Sequence, residues 1–227
     1  MSSFKSIREF AADILKTEKQ LDVLVHNAGY QGSFNKAVSA DGIEMTMATN
    51  HYSTFLLTHL LIDLMKKSEP SRIVVVASMM HKWSTFNPYS KESINPTKYF
   101  HGQNNYNNSK FANMLFTFEL AKRLKGTKVT ANCLNPGLVY TNLFRHTPFP
   151  LNIIAKCYKM FFKTPEEGTQ TSNYVAVSPE LATVTGKYFS DCKEIETSLD
   201  AQNTEWWSAF WAESMTMCKL TDNDPKI

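Results

Sequence analysis

Three short β-favouring runs, each closed by small or polar residues, limit most strongly what this chain can fold into. They are Leu21–Val25, Ile73–Ala77 and Val129–Leu134. Apolar runs of this length, rich in β-branched residues, read as strands buried on both faces. Stretches of helical period lie between them. Phe4, Ile7, Phe10, Ala11, Ile14 and Leu15 place a helix over about Ser3–Glu18. Ser39–Lys67 reads as a pair of helices or one interrupted helix, ending near Pro70. Lys82–Asn104 is polar and contains Pro88 and Pro96, so an irregular excursion is expected there. Phe111, Met114, Leu115, Phe118, Leu120, Ala121 and Leu124 set a long helix over Asn104–Lys125, stopped by Gly126.

Thr164-Pro165-Glu166-Glu167 has the chemistry of a helix start: a capping hydroxyl, a proline at the first position and acids in the first turn. That helix should reach about Val177. A short strand over Lys187–Ser190 and a last helix over Asn203–Cys218 follow. No internal repeat interrupts the order. Strands alternating with helices imply one α/β domain over 1–227, a doubly wound parallel sheet with helices on its faces. Such sheets bind ligands at the carboxyl ends of their strands. Here those ends are Asn27-Ala28-Gly29, Ser78 and Asn135-Pro136-Gly137, all small or polar.

Composition removes other classes. Hydrophobic residues make up 43% and charged residues 20%, ordinary values for a globular protein. The net charge is only +3, with Lys and Arg dispersed, so nucleic acid is not an expected partner. No C-x-x-C pair joins Cys133, Cys157, Cys192 or Cys218, and no His stands at ligand spacing, so reduced thiols and no metal are expected. The first twenty residues form a charged amphipathic pattern without the apolar core of a secretory signal. Thr54–Met65 is apolar on most sides but carries His59 and Asp63, which suits a buried helix.

Tyr106 and Lys110 are four residues apart, hence on one face of the long helix. An ammonium beside a phenol stabilises the phenolate and is expected to lower the Tyr pKa. Such a phenol can pass a proton to or from an alcohol oxygen. Ser78 directly follows a buried strand, where its hydroxyl can bond a substrate oxygen. Read alone, a Tyr-x-x-x-Lys pair is usually a surface Tyr and a solvated Lys. The strand-end serine is what makes it a candidate site.

With these pieces in place the chain resembles the short-chain dehydrogenase/reductase family, in particular its retinol dehydrogenase-like branch. The matching segments are Leu24-Val25-His26-Asn27-Ala28-Gly29, Asn50-His51, Ile73–Ser78, Tyr106-Asn107-Asn108-Ser109-Lys110 and Asn135-Pro136-Gly137-Leu138-Val139-Tyr140-Thr141. Phe162–Gly168 and Gly186–Asp191 resemble the branch. The resemblance implies an NAD(P)-dependent oxidoreductase acting on a lipophilic, retinol- or retinal-like small molecule. It implies Tyr106 as acid/base, Lys110 as its electrostatic partner and ribose ligand, Ser78 as substrate-oxygen ligand, and Asn50 as holder of a relay water. Asn27, Ala28 and Gly29 would lie along the adenosine side of the cofactor, and Pro136, Gly137, Val139 and Thr141 at its nicotinamide end. NADP is favoured over NAD. Leu143–Phe162 would cover an apolar substrate.

The sequence departs from the family in one respect. No T-G-x-x-x-G-x-G pattern exists among its eight glycines, although such turns bring backbone N–H groups to a pyrophosphate. The resemblance therefore implies a family domain truncated at its N-terminus, with the first three strands absent. It also implies an open edge on the Val23–Val25 strand, where a second copy or a longer relative could pair. Membrane association is then expected only through a missing N-terminal segment. The expected location is cytoplasmic or on the cytoplasmic face of the endoplasmic reticulum. The alternative is a non-catalytic binding or regulatory partner. His26 stands where the branch usually has Asn. Asn107-Asn108-Ser109 matches a glycosylation sequon but falls inside the proposed catalytic helix. Trp206, Trp207, Phe210 and Trp211 are expected to cover the sheet or a dimer surface rather than enter a membrane.

Overall fold

A computed structural model describes residues 1–32, 37–96, 102–139 and 162–227. Its strands are β1 (Val23–His26), β2 (Ser71–Val76), β3 (Val129–Asn135), β4 (Tyr188–Ser190) and β5 (Lys193–Glu194). They form one sheet in the spatial order β1-β2-β3-β4-β5, parallel except for the last pair. The two-residue β5 is too short for a periodic signal and was not expected from the sequence. The principal helices are α1 (Phe4–Thr17), α2 (Ser53–Lys67), α3 (Gly102–Arg123), α4 (Pro165–Val177) and α5 (Thr204–Met217).

Alternation along β2 divides the core. Ile73, Val75 and Ala77 enter the larger apolar cluster with residues of α1, α2, α3 and α5. Val74 and Val76 enter a smaller one with Leu134, Phe189 and Val175 of α4. This is the two-faced burial that β-branched runs require, because successive side chains point to opposite faces. Every residue of β3 is buried. β1 differs: among the described residues it has a strand on one side only, and Val25 is 42% exposed. Val25 pairs in register with Val74, so it belongs to the α4 face.

Local chemistry explains the helix ends. The Ser3 hydroxyl accepts from the Ser6 amide at the start of α1. Thr164 and Glu167 form a reciprocal capping box at α4 with Pro165 at its first position, as the sequence suggests. Gly126 ends α3 with φ 96°, a conformation that costs glycine little. The interruption expected within Ser39–Lys67 is a π-helical turn over Ala48–Tyr52, led by Met45–Met47 and running into α2. The expected excursion contains a 3-10 turn over Met79–Trp83 and a short helix over Lys91–Ile94. The aromatic face of α5 turns inward: Phe210 and Trp211 are buried, and Trp211 stacks at 5.9 Å on Phe116.

Cys133, Cys192 and Cys218 are free thiols, and Cys157 lies outside the described residues. Among the described residues no helix is long and apolar enough to cross a membrane.

Candidate active site

The carboxyl ends of β1, β2 and β3 converge on a cavity of about 670 Å³. Ser78, Tyr106 and Lys110 all line it, as do Asn27, Ala28, Gly29, Pro136, Gly137 and Val139. Thr141 and the segment expected to cover the substrate, apart from Phe162, lie outside the described residues. The parallel register accounts for the convergence: β1, β2 and β3 run side by side, so their final residues share one rim.

Lys110 reaches this rim from inside the protein. It is 3% exposed, and its Nζ donates to the carbonyl oxygen of Val76 at 2.8 Å. The same nitrogen stands 5.6 Å from the centre of the Tyr106 ring. Burial lowers the Lys110 pKa to about 8. A Cβ at Gly29 would sit 3.6 Å from that nitrogen, so the loop after β1 packs directly against it.

Tyr106 corrects one expectation. Its phenol is pushed up to about 12 by burial, with a hydrogen bond from the Ser78 side chain pulling the other way. The pKa is therefore not lowered toward neutrality in this arrangement. The physical reason is desolvation, together with an ammonium that is committed to Val76 and lies over the ring rather than at the hydroxyl. Tyr106 is consequently a protonated donor at neutral pH.

Ser78 is fixed by contacts that sequence spacing did not reveal. Its carbonyl accepts from Nδ1 of His81 at 2.7 Å, which sets the tautomer because a carbonyl can only accept. The Met79 amide donates to Oδ1 of Asn135 at 3.2 Å, linking the turn to β3. His81 is 2% exposed and packs edge-on against Tyr188. Its isolated position in the sequence gave no signal of this role.

Asn50 is bonded to the cavity wall at Tyr30. It is fully buried behind the cavity, and its amide is occupied. Oδ1 accepts from the Tyr30 amide at 2.7 Å, while Nδ2 donates to the Tyr30 carbonyl and to Oγ of Ser109, both at 2.9 Å. Its side chain therefore ties the wall at Tyr30 to the helix carrying Tyr106 and Lys110. The π-turn that contains Asn50 was not legible in the sequence.

The far wall also went unread. Pro165, Gly168, Thr169 and Ser172 from the start of α4 line the cavity, together with Met80 and Gln103. Gly168 is required there, since a Cβ would come 2.5 Å from Cγ2 of Val139. His26 is a buried core residue whose Nε2 lies 2.9 Å from Oγ1 of Thr58, and burial lowers its pKa to about 4. Asn107, Asn108 and Ser109 are buried within α3, so the sequon is not presented for modification.

The arrangement suits a small-molecule ligand. Three strand ends with small side chains, a buried ammonium and a phenol surround a cavity in the size range of small-molecule sites, about 300–1,000 Å³.

The comparisons with known proteins agree with this geometry. A family model described as enoyl-(acyl carrier protein) reductase matches residues 1–189. The chain is 44% identical over 225 residues to retinol dehydrogenase 14 of Homo sapiens, a match covering 97% of this chain and 65% of that protein. It is 38% identical over 226 residues to retinol dehydrogenase 13 of Homo sapiens, covering 97% and 67%. The chain thus spans just under two thirds of the length of the first of these relatives. An uncharacterised protein of Mycobacterium paratuberculosis shares the fold with a TM-score of 0.73 at 26% identity, over 96% of this chain and 73% of that one. A short chain dehydrogenase of Burkholderia cenocepacia J2315, solved in complex with NADP, gives a TM-score of 0.60 at 19% identity, over 83% and 71%, which supports the fold alone. Strand order, the Ser78–Tyr106–Lys110 cavity and these matches together mean that the chain belongs to the short-chain dehydrogenase/reductase family, in its retinol dehydrogenase-like branch.

Proposed function

We propose that the protein is a nicotinamide-dependent oxidoreductase interconverting a lipophilic, retinoid-like alcohol and its carbonyl compound. One observation carries this reading. Ser78, Tyr106 and Lys110, drawn from β2's end and from α3, meet in a single cavity beside the strand ends. NADP is the preferred cofactor, on the resemblance to the retinol dehydrogenase-like branch. When bound, the nicotinamide would supply or accept hydride at the substrate carbon.

The protein's own groups handle the rest. In the reductive direction, Ser78 donates a hydrogen bond to the carbonyl oxygen and polarises it. As the C=O π bond breaks, the oxygen takes the phenolic proton of Tyr106, leaving a phenolate that solvent reprotonates. Lys110, still largely cationic below pH 8, stabilises that phenolate and is placed to bond ribose hydroxyls. Asn27, Ala28, Gly29, Pro136, Gly137 and Val139 provide close-fitting walls. Retinol dehydrogenase 14 is named for retinol, and a long isoprenoid alcohol or aldehyde is the substrate class carried over from it.

Replacement Tyr106→Phe keeps the ring and removes the proton. NADPH-dependent reduction of an all-trans retinaldehyde probe is expected to fall about 10²- to 10⁴-fold, the usual contribution of a positioned acid. Undiminished turnover would sink the assignment.

A second reading, a non-catalytic binding partner that pairs through β1, rests on that strand having a neighbour on one side only among the described residues, with Val25 42% exposed. Fluorescence titration with NADPH separates the two. Saturable binding supports the enzyme, and absence of binding supports the alternative.

A further inference from the structure

The opposite rim of the sheet holds a second concavity. It lies at the amino ends of β3 and β4, away from Tyr106, with a volume of about 640 Å³. Phe118 and Leu124 of the α3 end, Val129 of β3 and Trp207 of α5 give it an apolar floor. Trp207 presents ring rather than polar edge, because its indole N–H is already donated to the Ala201 carbonyl at 2.7 Å.

Charge is distributed unevenly around this floor. Lys122, Lys125 and Lys128 stand on the rim, all exposed, and among the described residues no acidic side chain lines the groove. Lys122 is paired with Glu119 at 3.4 Å. Lys125 and Lys128 form no ion pair among the described residues. The Thr130 hydroxyl adds a buried polar group at the start of β3 that has no hydrogen-bond partner among the described residues.

A concave apolar floor with two unpaired ammonium groups on its lip is complementary to a single ligand that is apolar along its length and anionic at one end. A flat membrane would not reach the floor, and a neutral lipid would leave the lysines without a partner. We propose that this groove binds one long-chain acyl carboxylate. Its head engages Lys125 and Lys128, and its chain lies along Phe118, Leu124 and Trp207. The site is separate from the Tyr106 cavity and does not depend on the chemistry assigned there. Charge-assisted hydrogen bonds to the carboxylate fix the head, and the chain contributes by leaving water.

The test is calorimetric titration of the full chain with laurate below its micelle concentration, at low salt. Dodecanol and butyrate serve as comparators. Laurate is expected to bind at least about tenfold more tightly than either, because only laurate has both the chain and the charge. The double change Lys125→Glu/Lys128→Glu, on exposed positions, should weaken laurate at least about tenfold and leave dodecanol unchanged. Thr183→Trp, which fills the groove from its exposed wall, should abolish binding of both. A diazirine-bearing laurate should label the peptide 118–130 or Trp207. No laurate binding, binding indifferent to the double change, or label confined to residues 165–172 of the Tyr106 cavity would each overturn the proposal.

Discussion

At the carboxyl ends of the strands the functional charge is buried; at the amino ends it stands in water. Helix α3 serves both rims. Its first half carries Tyr106 and Lys110 into a cavity where burial moves the phenol up to about 12 and the ammonium down to about 8. Its second half carries Phe118 and Lys122 to a groove whose lysines are exposed. A buried ammonium bonded, among the described residues, to one carbonyl is costly for the fold and sensitive to its surroundings, which is the condition for acid–base work. An exposed ammonium costs little and attracts anions without altering their chemistry. One helix thus reaches both rims, burying Lys110 at one and exposing Lys122 at the other.

The largest effect that would sharpen this contrast is at Lys110. Lys110→Met keeps the length and removes the charge. Reduction of the retinaldehyde probe should fall about 10²- to 10⁴-fold. The corresponding change Lys122→Met on the other rim should leave turnover within about twofold.

Acid should distinguish the regions next. His26, His51 and His59 are buried neutral in the larger core, with pKa values lowered by burial to about 4, 3 and 4. Each takes up a proton on unfolding below its unfolded value of about 6.5, so stability is full above that pH and declines as pH falls toward 4. Together they can remove up to about 4 kcal/mol per pH unit near pH 5. Thermal melts from pH 7.5 to 4.5 should show this decline. His26→Asn, which keeps a hydrogen-bonding side chain and cannot titrate, should reduce the slope by about a third.

A smaller effect is expected at Gly168. An alanine there would press on stiff, β-branched Val139 in the cavity wall. Gly168→Ala should lower stability by about 1–3 kcal/mol and weaken NADPH binding, as read by denaturant titration and fluorescence.

Much of the upper rim was legible because its logic is local. Apolar β-branched runs announced β2 and β3, and Thr164-Pro165-Glu166-Glu167 announced the start of α4. Ser78, Tyr106 and Lys110 could be named because a strand end and a helical i, i+4 spacing fix their directions. The Tyr106 pKa could not be read, because spacing encodes a neighbour but not the desolvation that outweighs it. The positioning roles of Asn50 and His81 were also hidden. The first depends on a π-turn that redirects an amide to Tyr30, and the second on a contact made only after the chain turns beyond Ser78. The lower groove has no motif at all. Its floor and rim come from α3, the loop after it, the approach to β4 and α5, which meet only in the folded protein.

The most direct test of the account is a fluorescence titration of NADPH against three proteins: the unaltered chain, Lys110→Met and Lys125→Glu/Lys128→Glu. The account predicts saturable binding to the unaltered chain, weakened at least about tenfold by Lys110→Met and unchanged by the double replacement. Binding that survives Lys110→Met and is lost in the double variant would place the cofactor on the wrong rim and contradict it.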